Sequence, residues 1–188
     1  MGAAGLTVWR HPRPDGAAGL CVGRTDLPVD ARRAKRLAHR IRSRARREGW
    51  PRVVFTSPLQ RSADVGRWLR RWGWLHRIDE RVREIDFGDW DGMAWAAVGK
   101  AAVDAWRDDF TEHQPGGCGE SVSALVARCR SFITDVGEQH ACVVGHAGWI
   151  NAARWAAGAN PPPWSAADWP RAVNYGVAVD LVIDLAAG

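Results

Sequence analysis

The chain has 188 residues, 46% of them hydrophobic and 25% charged, with a formal net charge of +5. That length suits one domain over residues 1–188 with a real core, and the composition is that of a globular protein. No run of 18 apolar residues could span a membrane, no basic-then-apolar leader opens the chain, and four cysteines and six histidines show no metal-ligand spacing. The expectation is a cytoplasmic protein with no metal and no cofactor.

Leu6–Arg10 is a predicted strand that delivers Arg10-His11 to the start of a loop rich in Pro, Gly and Asp. Asp30 is the predicted N-cap of a helix with apolar positions Ala34, Leu37, Ala38, Ile41 and Ala45, closed by Gly49. Residues 31–48 carry eight Arg and Lys35 against Glu48 alone, so they hold +8 and the rest of the chain −3. The favoured account is a solvated helix face; the alternative is a nucleic-acid-binding stripe. Val53–Phe55 is a second strand. Ser57-Pro58-Leu59-Gln60 then has the order of N-cap, N1 proline and capping-box partner, placing Arg61 in the first turn of a helix to about Trp72.

Leu75–Ile78 is a further strand candidate, residues 84–92 form a loop rich in acids and glycine, and 93–112 predict one or two short helices. Pro115–Gly119 is expected to be a flexible connector, so 88–120 makes a small helical lid insertion. A strong helical stripe follows at Val122, Leu125, Val126, Cys129, Phe132, Ile133 and Val136. Ala141–Gly145 is a strand ending at His146, Trp149–Ala157 a short helix, Pro161–Pro163 an extended turn, and Val177, Val179, Leu181 and Ile183 alternate as a closing strand. Strands alternating with helices predict a three-layer α/β/α fold with a mostly parallel sheet.

In such sheets ligands bind at the carboxyl ends of the strands. Arg10, His11, Arg61 and His146 would converge there. Guanidinium forks match a tetrahedral dianion, a helix N-terminus adds oriented N–H groups, and an imidazole among cations stays neutral and nucleophilic. His11 could then accept a phosphoryl group. A carboxyl group must protonate the leaving oxygen; Glu84 is the candidate, with Asp86, Asp89 and Asp91 as competitors.

At these residues the chain resembles the histidine phosphatase (phosphoglycerate-mutase-like) superfamily. The matching segments are Trp9-Arg10-His11, Gly23–Pro28, Thr56–Arg61, Arg83–Gly92, Gly119-Glu120-Ser121 and Val144–Gly148, in order, with Asn174 before the last strand similar as well. The resemblance implies that His11 is the phospho-accepting nucleophile, that Arg10, Arg61 and His146 complete the phosphate pocket, and that Glu84 is the proton donor. Within the family the pattern is most like the α-ribazole phosphatase branch, which implies a small-molecule phosphate ester, such as α-ribazole-5′-phosphate of cobalamin biosynthesis.

Three departures from the family pattern involve four positions. Pro12 replaces a glycine after the nucleophile and has no N–H. Ala17 and Val22 stand where small polar residues help hold phosphate, which leaves the Gly23 N–H as a donor. Arg24 replaces an aromatic residue and becomes a specificity candidate. Twelve tryptophans against one tyrosine suggest that one or two of Trp90, Trp95 and Trp149 form an aromatic wall against a ring-bearing substrate. Alternative readings are a phosphoglycerate mutase, a phosphoprotein phosphatase, or an inactive member that binds nucleic acid or a partner through the basic 31–48 helix.

Overall fold

Apolar runs and helical stripes assemble around one five-stranded sheet in the computed structural model, which describes residues 5–137, 140–158 and 164–183. In chain order the elements are β1 (Gly5–Arg10), α1 (Ala31–Glu48), β2 (Val53–Thr56), α2 (Gln60–Arg71), β3 (Leu75–Ile78), α3 (Trp95–Val98), α4 (Lys100–Asp108), α5 (Val122–Val136), β4 (Ala141–Gly145), α6 (Ala147–Ala157) and β5 (Ala178–Val182). The sheet order is β3-β2-β4-β1-β5. Pairing is parallel except between β1 and β5. The expected three-layer α/β/α architecture is observed.

Strand alternation decides which layer each side chain enters. Leu6, Val8 and Val143 pack among α5 and α6 residues such as Val126, Phe132 and Ile150. Trp9, Val54, Cys142 and Val144 turn to the opposite face, against Leu37, Ile41, Val65 and Leu69 of α1 and α2. Central parallel strands are thereby covered on both faces, which is why they read as near-continuous apolar runs. At the edge, β5 carries Asp180, held by the Thr7 hydroxyl at 2.7 Å and by Arg44 at 2.8 Å.

Helix α1 forms as its sequence predicts. Asp30 accepts the Arg33 N–H at 3.0 Å, all five apolar positions are buried, and Gly49 ends the helix at φ 70°, donating to the Ala45 carbonyl. Only a residue at ease in the left-handed region closes a helix this way. Its cations meet partners on the protein surface: Arg33 pairs with Asp15 and Arg44 with Glu48, each at 2.8 Å. Arg40, Arg42 and Arg44 lie over the rings of Trp9, Trp72 and Trp50 at 5.3, 5.4 and 4.9 Å. Many of the chain's arginines and tryptophans thus serve each other through cation–π contacts.

Three expectations change. Ser57 does not cap α2; the helix begins at Gln60, and the cap comes from Asp26, which accepts the Gln60 N–H at 2.7 Å and its side-chain amide at 3.2 Å. Helix α6 starts at Ala147 rather than Trp149, with His146 at the N-cap position. The Pro115–Gly119 segment is no loose connector. It forms a 3-10 turn locked by Gly119 N–H to Pro115 O at 2.9 Å, and Glu120 N–H reaches Asp86 O at 2.8 Å. Pro161–Pro163 lies outside the described residues. The 93–112 region does form two short helices, α3 and α4. Among the described residues, no helix is long and apolar enough to cross a membrane.

The capping role of Asp26 is directly measurable. Asp26→Ala should lower the unfolding free energy in urea by about 1 kcal/mol; no change in the unfolding midpoint would remove Asp26 as the cap.

Candidate active site

Parallel pairing of β1 with β4 places Arg10 opposite Gly145. The next residue on each strand is a histidine, so His11 and His146 stand together with ring centroids 4.9 Å apart. The His11 N–H is fixed on the Gly145 carbonyl at 3.0 Å. Its ring Nδ1 lies 2.7 Å from the Pro12 carbonyl. A carbonyl only accepts, so Nδ1 carries the proton and Nε2 keeps its lone pair. Pro12 has lost an N–H, yet its carbonyl sets the tautomer. Burial, then the charge of Arg61 and that of Arg10, hold the His11 imidazole well below its ordinary value of 6.5, and the Pro12 hydrogen bond only partly opposes them. His11 is thus neutral at physiological pH.

His146 is completely buried. Its Nε2 meets the Ser57 hydroxyl at 2.7 Å and its Nδ1 accepts from Arg61 Nε at 3.3 Å. Burial, followed by Arg61 and His11, lowers its pKa well below 6.5. Both ring nitrogens are engaged by protein partners. His146 orients Arg61 and backs the His11 ring.

Arg61 is 1% exposed. Its Nη1 donates to Thr25 O at 2.7 Å and its Nη2 to Gly23 O at 2.6 Å. Those two carbonyls are aimed by Asp91, whose carboxylate accepts the N–H groups of Gly23 at 3.3 Å and Thr25 at 3.1 Å, together with that of Arg24. Gly23 therefore gives its N–H to Asp91 and its carbonyl to Arg61, not its N–H to a bound anion. Burial lowers the Arg61 pKa, and the charges of Glu84, Asp26 and Asp91 offset part of that. Arg10 donates to Val173 O at 2.5 Å and lies 3.8 Å over the Tyr175 ring.

Glu84 sits at the N-terminus of α6. Its carboxylate accepts the Trp149 N–H at 3.0 Å, the Gly148 N–H at 3.1 Å and its neighbour Ile85 N–H at 3.1 Å. These include two of the four donors that a helix start leaves free. A Cβ at Gly148 would come within 2.6 Å of Glu84 Oε1, so a side chain there would displace the carboxylate. Behind Glu84, Arg128 donates to the carbonyls of Arg81, Arg83 and Glu84 at 2.7, 2.8 and 3.1 Å. A two-pronged pair with Glu120 at 2.6 and 2.8 Å completes its donors.

His11, Arg10, Arg61 and Glu84 share a cavity of about 330 Å³ whose other walls include Leu20, Val22, Phe87, Trp95, Trp106, Trp169 and Tyr175. Of the proposed specificity residues, Arg24 lies outside, paired with Asp86 at 3.1 Å. Trp90 is buried against Trp106. Trp149 is wholly buried, edge-on to Phe132, with its Nε1–H on Arg81 O at 2.6 Å. Asn174 is exposed and closes a turn through its carbonyl to the Val177 N–H at 3.1 Å. Only Trp95 of the expected tryptophans faces the cavity. Sequence reasoning missed Arg128, Trp106, Trp169, Tyr175 and the roles of Ser57 and Asp91. Asp91 at least lies in a recognised motif, whereas nothing near Arg128 in the chain signals a contact with Glu84. Among the described residues, no group of three His, Cys, Asp or Glu stands at metal-holding distance.

The Arg128–Glu120 pair is a partly buried charge pair, so removing one partner should cost more than removing both. Arg128→Met is expected to lower the unfolding free energy in guanidinium by about 3 kcal/mol, and Arg128→Met with Glu120→Leu by distinctly less. Losses that simply add, the double variant losing the sum of Arg128→Met and Glu120→Leu measured singly, would mean that the pair carries no coupling.

The chain is similar in sequence and fold to known proteins. The model of the histidine phosphatase superfamily (branch 1) matches residues 6–172. A glucosyl-3-phosphoglycerate phosphatase of Mycobacterium tuberculosis is 34% identical over 90 residues, 46% of this chain and 40% of that relative, so the aligned stretch spans less than half of its length. The mycobacterial glucosyl-3-phosphoglycerate phosphatase in complex with VO3 superposes with a TM-score of 0.77 at 28% identity, over 95% of this chain and 92% of that one. A Thermus thermophilus protein of known structure does so with a TM-score of 0.69 at 27% identity, over 94% and 92%. By family model and fold, the chain belongs to the histidine phosphatase superfamily, branch 1.

Proposed function

We propose that the protein hydrolyses phosphate monoesters of small molecules through a phosphohistidine on His11. The observation that carries this reading is the His11 ring itself. Its Nδ1 is tied to the Pro12 carbonyl at 2.7 Å, leaving Nε2 as a neutral nucleophile in a cavity shared with Arg10, Arg61 and Glu84. The two guanidinium groups bind the dianion and stabilise charge on the equatorial oxygens of the transferring group. Nε2 attacks phosphorus as the ester P–O bond breaks, and Glu84 in its acid form protonates the departing alcohol oxygen. Water then attacks the phosphohistidine, gives its proton to the Glu84 carboxylate, and inorganic phosphate leaves. Positive charge comes from arginine, so the mechanism requires no metal ion. Residues 88–120 form the roof of the site within one domain.

Two candidate substrates have separate support. The motif pattern resembles that of α-ribazole phosphatases, and the mycobacterial relatives are glucosyl-3-phosphoglycerate phosphatases. Both belong in one screen with p-nitrophenyl phosphate, phosphoserine and 3-phosphoglycerate.

Turnover of at least one ester should persist in EDTA and fall about 10³-fold or more in His11→Ala. Glu84→Gln should lose about 10²- to 10⁴-fold, and quenching during turnover should trap an acid-labile phosphate on His11. Turnover that needs a divalent metal, or survives loss of His11, would sink the mechanism.

The lowered His11 pKa sets the sign of the pH profile. Only the neutral ring attacks, so protonation costs activity on the acid side. Because the His11 pKa lies well below 6.5, kcat/KM should show no fall as the pH is lowered from 7.5 to 6. A tenfold fall over that range, tracking one ionisation of the free enzyme, would mean an ordinary histidine.

A further inference from the structure

Building on the hydrolase reading, we propose that the cavity selects phosphate esters whose alcohol carries an uncharged, planar apolar ring, and that Trp95 determines this choice. Apart from Arg10, His11, Arg61, Glu84 and the phenol of Tyr175, the described residues that line the cavity include no Lys, Arg, Asp, Glu, Ser, Thr, Asn or Gln. Leu20, Val22, Phe87, Trp95, Trp106 and Trp169 supply the surface instead. A carboxylate or a set of sugar hydroxyls placed there would lose water and find few partners. A flat ring would lose little and gain aromatic contact. This separates the chain from the glucosyl-phosphoglycerate chemistry named for its mycobacterial relatives.

The wall is built before any ligand arrives. The Trp95 N–H is held by Gly19 O at 2.9 Å, and Leu20 pairs with Ala94 in an isolated antiparallel bridge. Trp95 stands edge-on to Phe87 at 5.5 Å and 86°, and Phe87 stands likewise to Trp106 at 6.0 Å. Trp106 and Trp169 both meet Phe110, at 5.5 and 5.4 Å, so the indoles on two sides of the cavity share one support. Trp95 nevertheless remains 38% exposed. A large aromatic side chain anchored by its backbone yet left open at a cavity wall marks a recognition surface.

The test compares primary alkyl phosphates with the same reacting bond: 2-(1-naphthyl)ethyl phosphate, glycerol phosphate and 3-phosphoglycerate. Wild-type kcat/KM should favour the naphthyl ester at least about tenfold over either of the others, mainly through KM. Trp95→Ala should reduce that preference at least about fivefold, and Trp95→Phe should restore most of it. Equal or better turnover of 3-phosphoglycerate, or an unchanged preference in Trp95→Ala, overturns the inference even when p-nitrophenyl phosphate is hydrolysed in a His11-dependent way. If no ester is hydrolysed at all, the hydrolase reading fails first. Calorimetric titration of His11→Ala with the naphthyl ester then decides the ring preference alone: tighter binding than glycerol phosphate supports it, and equal or weaker binding refutes it.

Discussion

The register of β1 against β4 is the constraint on which the site depends. The strands are separated by more than a hundred residues of chain, yet they pair so that Arg10 faces Gly145. Side chains alternate along a strand, so a slip of one residue would turn Leu6 and Val8 out of their core. The apolar pattern that keeps these residues among α5 and α6 therefore also keeps His11 beside His146. Stability and the placement of His11 share one cause.

Around that pair the protein buries positive charge and satisfies it with backbone oxygen. Arg61 is clamped by the carbonyls of Gly23 and Thr25, and Arg128 by those of Arg81, Arg83 and Glu84. Carbonyl partners hold a guanidinium in place without neutralising it, as a carboxylate would. This suits Arg61, whose charge faces the cavity. Asp91 acts on it through the loop that carries the carbonyls, a route that keeps the carboxylate on the N–H side of the loop. Arg128 is the opposite case, paired with Glu120 and serving to hold the Glu84 segment.

Tryptophan has two uses in this chain. On α1 and its surroundings, indoles lie under arginine guanidiniums and shield one face of a helix rich in charge. Around α4 they form an aromatic series through Trp90, Trp106 and Phe110 that reaches Trp169, edge-to-face except at the tilted Trp106–Phe110 contact. Edge-to-face packing suits the ring quadrupole and stiffens the short α3 and α4 segments, which have no buried residue of their own. The cavity wall inherits that stiffness.

Much of this protein was legible in its sequence because the signals are local. Apolar periodicity marks β1, β2, β4, α1 and α5, Asp30 and Gly49 bound α1, and ordered Arg, His and Glu motifs mark residues that gather at one cavity. What the sequence left open is the partner each polar or aromatic group chooses. Ser57 looks like a helix cap but bonds His146, 89 residues away; Gly23 looks like a phosphate donor but is taken by Asp91; Trp149 sits in a motif but packs into the core against Phe132. A cap, an N–H or an indole can satisfy several partners equally well on chemical grounds. Only the packed chain, by fixing which of them is within reach, decides among them.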